Sequence, residues 1–445
     1  MTDLLSARSQ MAVSLGFHII FSCIGMAMPF FMAVSHYLWL KKKNPVYEQI
    51  TRAWARGVAI FFATGAVSGT VLSFELGLLW PEFMKHAGPI FGLPFSMEGA
   101  AFFVEAIAMG FYSYGWGKFN KWFHWFTGVV VGISGVISGI LVVSANSWMN
   151  SPSGFDYKNG VFSKIDPIKA MFNEAWFSEA LHMTIAAFAA TGFAVAGVHA
   201  FLILKNKNVV LHQMAFKIAA SFALVASFIQ PFSGDISATG AAKRQPAKLA
   251  AMEVLYHTGK RAPLVIGGIY DNKTQRLKGQ IEIPGMLSFL AHRDFNAEVT
   301  GLDKFAPADR PPVAVLHYAF QTMVAFGMLM LLVSLIFLAG NIKYRQWLSK
   351  RWIYITYALL TPVGFLAVEA GWTVTEVGRQ PWVIQGVMRT ADAVNPMPGI
   401  AFTFYLFVLI YVSLAFMVVF MLYRQIQALN AVTPNTIIDH PKTTV

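Results

Sequence analysis

The chain has 445 residues and a formal net charge of +12, yet only 13% of its residues are charged and 56% are hydrophobic. A soluble domain carries roughly 25% charged and about 45–50% apolar residues, so an ordinary soluble protein is excluded. The single cysteine, Cys23, excludes a disulfide framework, a CxxCH haem attachment and a cysteine-held iron–sulfur cluster within the chain. Any metal falls to His, Met or carboxylates. No basic run is interleaved with an aromatic platform, which argues against nucleic acid and for a topological origin of the charge.

A helix needs about 20 apolar residues to cross roughly 30 Å of hydrocarbon. Nine stretches qualify, near 14–39, 54–80, 95–116, 124–148, 178–204, 214–232, 313–340, 352–373 and 398–423. They lack period-2 alternation and are too long for barrel strands, so the predicted fold is all-α, a polytopic bundle of nine transmembrane helices in the lipid bilayer. Residues 1–232 hold the first six helices, 233–312 a long polar loop, and 313–445 the last three helices and a tail. The loop carries Pro246, Pro263, Pro284, Pro307, Pro311 and Pro312, and a connection of that length is either functional or disordered.

Lysines and arginines collect in the connections after the first, third, fifth and seventh stretches, among them Lys41, Lys42, Lys43, Lys118, Lys121, Lys205, Lys207, Lys343 and Arg345. By the positive-inside rule these connections are cytoplasmic, the N-terminus and the long loop lie outside, and the C-terminus lies inside. Met1 to Gln10 lacks a basic n-region, so the first helix is expected to remain in the mature protein.

Ionisable residues lie within or at the edges of these spans: His18, Glu75, Glu98, Glu105, Glu179, His182, Glu369 and Glu376. Each costs at least about 2.5–3.5 kcal/mol inside a bilayer and is by default functional. His18, Glu98, His182 and Glu376 all enter from the outer side under this topology, as does Met323 of the seventh span, so a buried cation in the outer half of the membrane is implied. Glu98 and Glu105 are seven apart and share one side of a helix; Glu369, Trp372 and Glu376 repeat that spacing. Taken singly, each has a plainer role. Met323 is one of 21 methionines, Glu75 can reach the interface beside Trp80, and His36, His124, His199, His212 and His317 sit near helix ends. Spacing alone does not name a cofactor.

The run Gly371-Trp372-Thr373-Val374-Thr375-Glu376-Val377-Gly378-Arg379-Gln380-Pro381-Trp382 resembles the GWxxxExGRQPW signature of subunit I of the cytochrome bd-type quinol oxidases. Gly16-Phe17-His18, Met97-Glu98-Gly99, Phe103-Val104-Glu105, Ala145-Asn146-Ser147-Trp148-Met149 and Lys248-Leu249-Ala250-Ala251-Met252-Glu253 agree in order, and the resemblance covers essentially the whole chain. It implies a terminal quinol oxidase of a bacterial cytoplasmic (inner) membrane. Quinol is oxidised outside, and electrons pass through a low-spin haem b to a dihaem site, high-spin haem b with haem d or a further haem b, where O2 becomes water.

Residue by residue, the resemblance makes His182 and Met323 the axial pair of the low-spin haem b, and His18 and Glu376 the axial ligands of the two high-spin haems, with the choice between them open. Glu98 and Glu105 match residues of the dihaem site and proton delivery, and Ser138 and Asn146 fit the lining of a proton path. Lys248 and Glu253 match the quinol-binding loop, as hydrogen-bond donor to a quinol oxygen and acceptor of its proton. Arg379 is expected on haem propionates and Trp372 between macrocycles. A second membrane subunit, subunit II, completes a heterodimer, with a small accessory subunit as a possible third chain.

The sequence also departs from the family pattern. Gln321 stands two residues before Met323, where the best-known members have Arg, which is expected to lower the haem potential and weaken propionate neutralisation. Glu98 and Glu105 are one residue closer than in some members, a turn of about 100° around the helix. The loop lacks a long insertion, as in the short-loop class, some of whose members are cyanide-insensitive and some of which carry haem b in place of haem d. Two rival readings are a transmembrane dihaem cytochrome b, pairing His18 with His182 and His36 with His199, and a proton-coupled transporter using Glu98, Glu105 and Glu369.

Overall fold

In the computed structural model, which describes residues 2–158, 160–394 and 399–431, nine helices among the described residues are long and apolar enough to cross a membrane. They run Asp3–Lys42, Pro45–Leu79, Pro81–Tyr114, Lys121–Asn150, Trp176–Leu204, Val209–Arg244 and Val313–Ile342, then an eighth in two pieces, Arg351–Leu359 and Val363–Val377, and a ninth, Ile400–Ala431. The all-α bundle read from hydropathy is the fold found. The predicted start of the ninth span at 398 and the tail from 432 lie outside the described residues.

Helix starts follow from local chemistry. Asn44 and Asn120 side chains accept from the amides of Val46 and Trp122, both at 2.9 Å, and Pro45 and Pro81 fill first positions where a missing N–H costs nothing. Several spans outrun their hydropathy, the third and sixth furthest at one end. The third starts at Pro81 rather than near 95, with Pro89 and Pro94 inside it. The sixth continues past 232 to Arg244, so the first part of the predicted loop is helix. Its polar residues face protein there: Ser233 meets His182 at 3.0 Å, and Ser237 donates to the Ser178 carbonyl at 3.2 Å. The eighth span breaks before Val363 because Pro362 has no N–H and crowds the preceding turn.

Sequential helices pack as neighbours, first on second, third on fourth, fifth on sixth; the first also meets the fourth, fifth and ninth, and the seventh meets the sixth and eighth. The fifth and sixth approach closely through small residues: a Cβ on Gly192 would stand 2.9 Å from Ala223. The long loop is ordered. It holds two short helices, Pro246–Met252 and Met286–His292, and antiparallel two-stranded pieces such as Leu264–Ile266 with Ile281–Ile283. Leu249, Met252, Leu287, Val299 and Leu302 form its core, which continues into Leu316 and Val374 of the seventh and eighth helices. The loop is thereby docked on one end of the bundle.

A Cβ on Gly364 would stand 2.5 Å from the Ala190 backbone, whereas one on Gly65 would touch nothing within 4 Å. Gly364→Ala is expected to destabilise by about 1–3 kcal/mol through overpacking. Thermal unfolding of the purified complex should show a lower midpoint for it and an unchanged one for Gly65→Ala.

Candidate functional site

The signature run lies at the loop end of the bundle, where the last turn of the fourth helix supplies its hydrogen-bond partners. Glu376 accepts from Asn146 Nδ2 and, at 2.6 Å, from Arg379 Nη2. Arg379 is 2% exposed, and its Nη1 donates to Asn150 Oδ1 at 3.2 Å. The same Asn150 oxygen accepts from Lys248 Nζ at 3.4 Å and Gln245 Nε2 at 3.3 Å, while Asn150 Nδ2 donates to Glu179 at 3.1 Å. Two cations and two carboxylates therefore meet in one buried network, which is how such charges survive out of water.

Lys248 and Glu253 both turn inward. Lys248 Nζ also donates to the Thr375 carbonyl at 3.3 Å, and burial holds its ammonium below the usual lysine range. Glu253 is 3% exposed, accepts from the Val265 amide at 3.2 Å, and is pushed by burial up to about 7. The two do not form an ion pair with each other. A pocket of about 220 Å3 lies beside Lys248 and Arg379, closed by Gln245, Phe305, Asp309 and Trp382. Gln321 fastens this region: its Nε2 donates to the Val265 carbonyl at 2.9 Å and its Oε1 accepts from Gly267 N at 3.1 Å. One loop residue, Val265, is thus held by Gln321 on one side and holds Glu253 on the other.

Deeper in the bundle, His18 Nδ1 and Nε2 meet Ser68 and Ser22 at 2.9 and 3.0 Å, and His182 meets Ser233 and Gln230. Trp372 Nε1 donates to Met183 Sδ at 3.2 Å, so the chain neighbours of His182 and Gly371 touch. Gly371 in turn faces Met323 Sδ, which a Cβ there would meet at 3.0 Å. Trp372 packs with Leu15, Ile19, Met183 and Ala187, between the first and fifth helices. On the third helix, Glu98 accepts from Ser138 of the fourth at 3.3 Å, and Glu105 is buried opposite Gly135.

The family model for cytochrome bd terminal oxidase subunit I matches residues 6–429. The chain belongs to that family. Two proteins of Bacillus subtilis (strain 168) are each 33% identical to it, one named for a menaquinol oxidase, over 430 residues with 95% of this chain and 96% of that protein covered. The other is named cytochrome bd ubiquinol oxidase subunit 1 and aligns over 441 residues, 96% of this chain and 94% of that protein. The solved structure of the bd oxidase from Geobacillus thermodenitrificans superposes with a TM-score of 0.91 at 34% identity, covering 96% of this chain and 98% of that one. As a cytochrome bd subunit I, the chain is an oxidoreductase subunit of electron transport and a multi-pass membrane protein, and the family carries haem.

The residues fit such a group. Among the described residues no three or more His, Cys, Asp or Glu gather to cage a bare ion. Single imidazole, thioether and carboxylate donors on separate helices suit a ring that brings its own four nitrogens. Each ring donor also faces a glycine: a Cβ on Gly69 would stand 3.0 Å from His18, and one on Gly234 3.4 Å from His182. His36 Nδ1 is bonded to Tyr112 at 3.0 Å, and His199 Nδ1 to His212 at 2.8 Å.

Sequence reasoning missed Asn150, the hub of the network, and Gln230, whose Nε2 lies 3.3 Å from the His182 ring. Asn150 carried one legible signal, its place four residues after Asn146 on the same helix face. Breaking the clamp by Gln321→Ala is expected to lose about 1 kcal/mol per hydrogen bond. Limited proteolysis of the purified complex should then cut the 253–285 region faster, with the haem spectrum unchanged.

Proposed function

We propose that this chain oxidises quinol at the loop end of the bundle, on the outer face of a bacterial inner membrane, and delivers the electrons to O2, which becomes water. The observation that carries the reading is the convergence, at one end of the bundle, of the Lys248 pocket and the Glu376–Arg379 pair of the signature run. The relatives' names divide between menaquinol and ubiquinol, so the substrate is assigned as a quinol.

His182 and Met323 would hold a low-spin haem b, and His18 and Glu376 would each hold a high-spin haem, a haem b and a haem d or further haem b. When bound, these groups supply one-electron transfer and, where a face of the iron stays open, oxygen binding. Arg379 holds Glu376 in its orientation through the 2.6 Å bond, and its Nε, unpartnered among the described residues, is available to a propionate. Trp372, packed between the first and fifth helices, fills the space between the His18 and His182 regions.

Lys248 donates a hydrogen bond to one quinol oxygen in the pocket. Glu253 takes up a quinol proton and returns it to the outer side. Glu105 and Glu98, two turns apart with Ser138 beside the second, carry cytoplasmic protons outward to the oxygen site. Protons released outside and consumed from inside move charge across the membrane without a pump. Subunit II would complete the heterodimer, and a small accessory subunit is compatible with it.

The deciding experiment is a reduced-minus-oxidised visible spectrum of the purified complex, followed by quinol-dependent oxygen uptake. A far-red chlorin band establishes haem d, b-type bands alone establish a haem-b variant, and no haem bands overturn the reading. His182→Ala and Met323→Leu should each remove the low-spin signature and abolish turnover. Glu253 accepts a proton only when ionised, so turnover should rise as pH increases through about 7. In Glu253→Gln it should be low and flat across the same range.

A further inference from the structure

The first helix carries a line of polar side chains that the roles above do not use. Ser6, Gln10, Ser14, His18 and Ser22 recur at intervals of four on an otherwise apolar helix, so they form one stripe. The stripe faces the second and ninth helices. Gln10 Nε2 donates to Glu75 Oε1 at 2.9 Å, and Gln10 Oε1 accepts from Thr403 at 3.0 Å. Ser14 Oγ faces both the Glu75 carboxylate and the Tyr411 phenol. Below it, His18 is bonded to Ser68 of the second helix. At the loop end, Ser6 donates to the Thr2 carbonyl at 3.0 Å, beside the exposed start of the helix.

Glu75 is 1% exposed, and no Lys or Arg pairs with it among the described residues. Ser14 Oγ, Glu75 Oε2 and Tyr411 OH, three polar atoms from three helices, lie near one another, yet all are buried and none makes a hydrogen bond of good geometry among the described residues. Native interiors rarely leave one such atom, and three converging atoms have the donor and acceptor count that holds an ordered water. A serine in an apolar helix ordinarily bonds the carbonyl four residues back, as Ser68 does to Thr64 at 2.9 Å; Ser14 does not. Gln10 aims an amide N–H at the carboxylate, which suits water and disfavours a metal cation. Successive stripe residues rise by about 6 Å, a gap that one water closes with a hydrogen bond on each side.

We propose that Glu75, Ser14 and Tyr411 hold a buried water, and that with Gln10 and Ser6 they form a hydrated conduit through which water made at the His18 side leaves to the outer surface. This rests on the oxidase reading, which makes His18 a ligand at the oxygen site. Water is the product of that chemistry, and the walls between the first, second and ninth helices are otherwise apolar. Glu75 is the positioning residue: its carboxylate fixes the central water between the two hydroxyls.

The test uses the intact purified complex and X-ray hydroxyl-radical labelling in oxygen-18 water. Tyr411, 3% exposed, should be labelled with the isotope at the rate of a water-contacting residue, while Phe193, 0% exposed, stays unlabelled. Glu75→Leu should abolish labelling at Tyr411 and lower oxygen uptake several-fold with the visible spectrum intact, and Glu75→Gln, which keeps the shape and a polar contact, should restore part of both. If Glu75→Leu does not assemble, Ser14→Ala replaces it with the same expectation. An unlabelled Tyr411 in the unaltered complex overturns the conduit, as does loss of labelling with full turnover. Absence of haem bands would instead overturn the oxidase reading, and the labelling result would stand apart from it.

Discussion

Every polar feature of this chain answers to the cost of placing charge where water is scarce. An ionised carboxylate or ammonium taken into an apolar interior is tolerated only with a partner of opposite charge and with its remaining hydrogen bonds filled. At the loop end the partners come from four separate segments: Glu376 and Arg379 from the signature run, Asn146 and Asn150 from the fourth helix, Glu179 from the fifth, and Gln245 and Lys248 from the loop. The signature run pairs its own two charges, Arg379 with Glu376, and the other polar groups find their partners on different segments. The loop, the fourth and fifth helices and the end of the eighth are therefore tied together through one hydrogen-bonded network.

Helix packing sets the second condition. Where the bundle has only to be stable, small residues bring helices together until their backbones touch, as along the fifth and sixth helices and at Gly364 against Ala190. Where a side chain and not a backbone fills the gap, the same residue type leaves it room: His18, His182 and Met323 lie 3.0–3.4 Å from where a Cβ on Gly69, Gly234 and Gly371 would stand. A glycine in a membrane helix is thus either a contact or a clearance, and the neighbouring side chain decides which.

Much of this was legible in the sequence because hydropathy and motif spacing are local. The nine spans, the shared face of Glu98 and Glu105, and the signature from Gly371 to Trp382 all follow from short windows. What was not legible depends on which residues become neighbours after folding. The sixth helix outlasts its apolar run because Ser233 and Ser237 find partners on the fifth, something no window along the sixth alone reveals. Gln321 reads as a lost positive charge beside a haem, yet the structure shows a clamp on Val265 and Gly267. Lys248 and Glu253 read as two residues of one quinol-binding motif, and the fold buries both with different partners. Glu75 reads as a residue reaching the interface; the fold instead seals it against Gln10.

The separation of Lys248 from Glu253 has a mechanistic logic. An ion pair between them would neutralise both and leave neither free for a quinol. Lys248 instead shares an amide oxygen with Arg379, which connects the pocket wall to Glu376 through a single side chain, Asn150. Glu253 is tied to the loop through Val265, and Val265 to the seventh helix through Gln321, two residues from Met323. In the proposed quinol reading, one hydrogen-bonded arm leads from the pocket to Glu376 and the other from Glu253 to Gln321 of the seventh helix. The loop is thus fastened to the eighth helix through Lys248 and to the seventh through Gln321, and is an integral part of this end of the bundle.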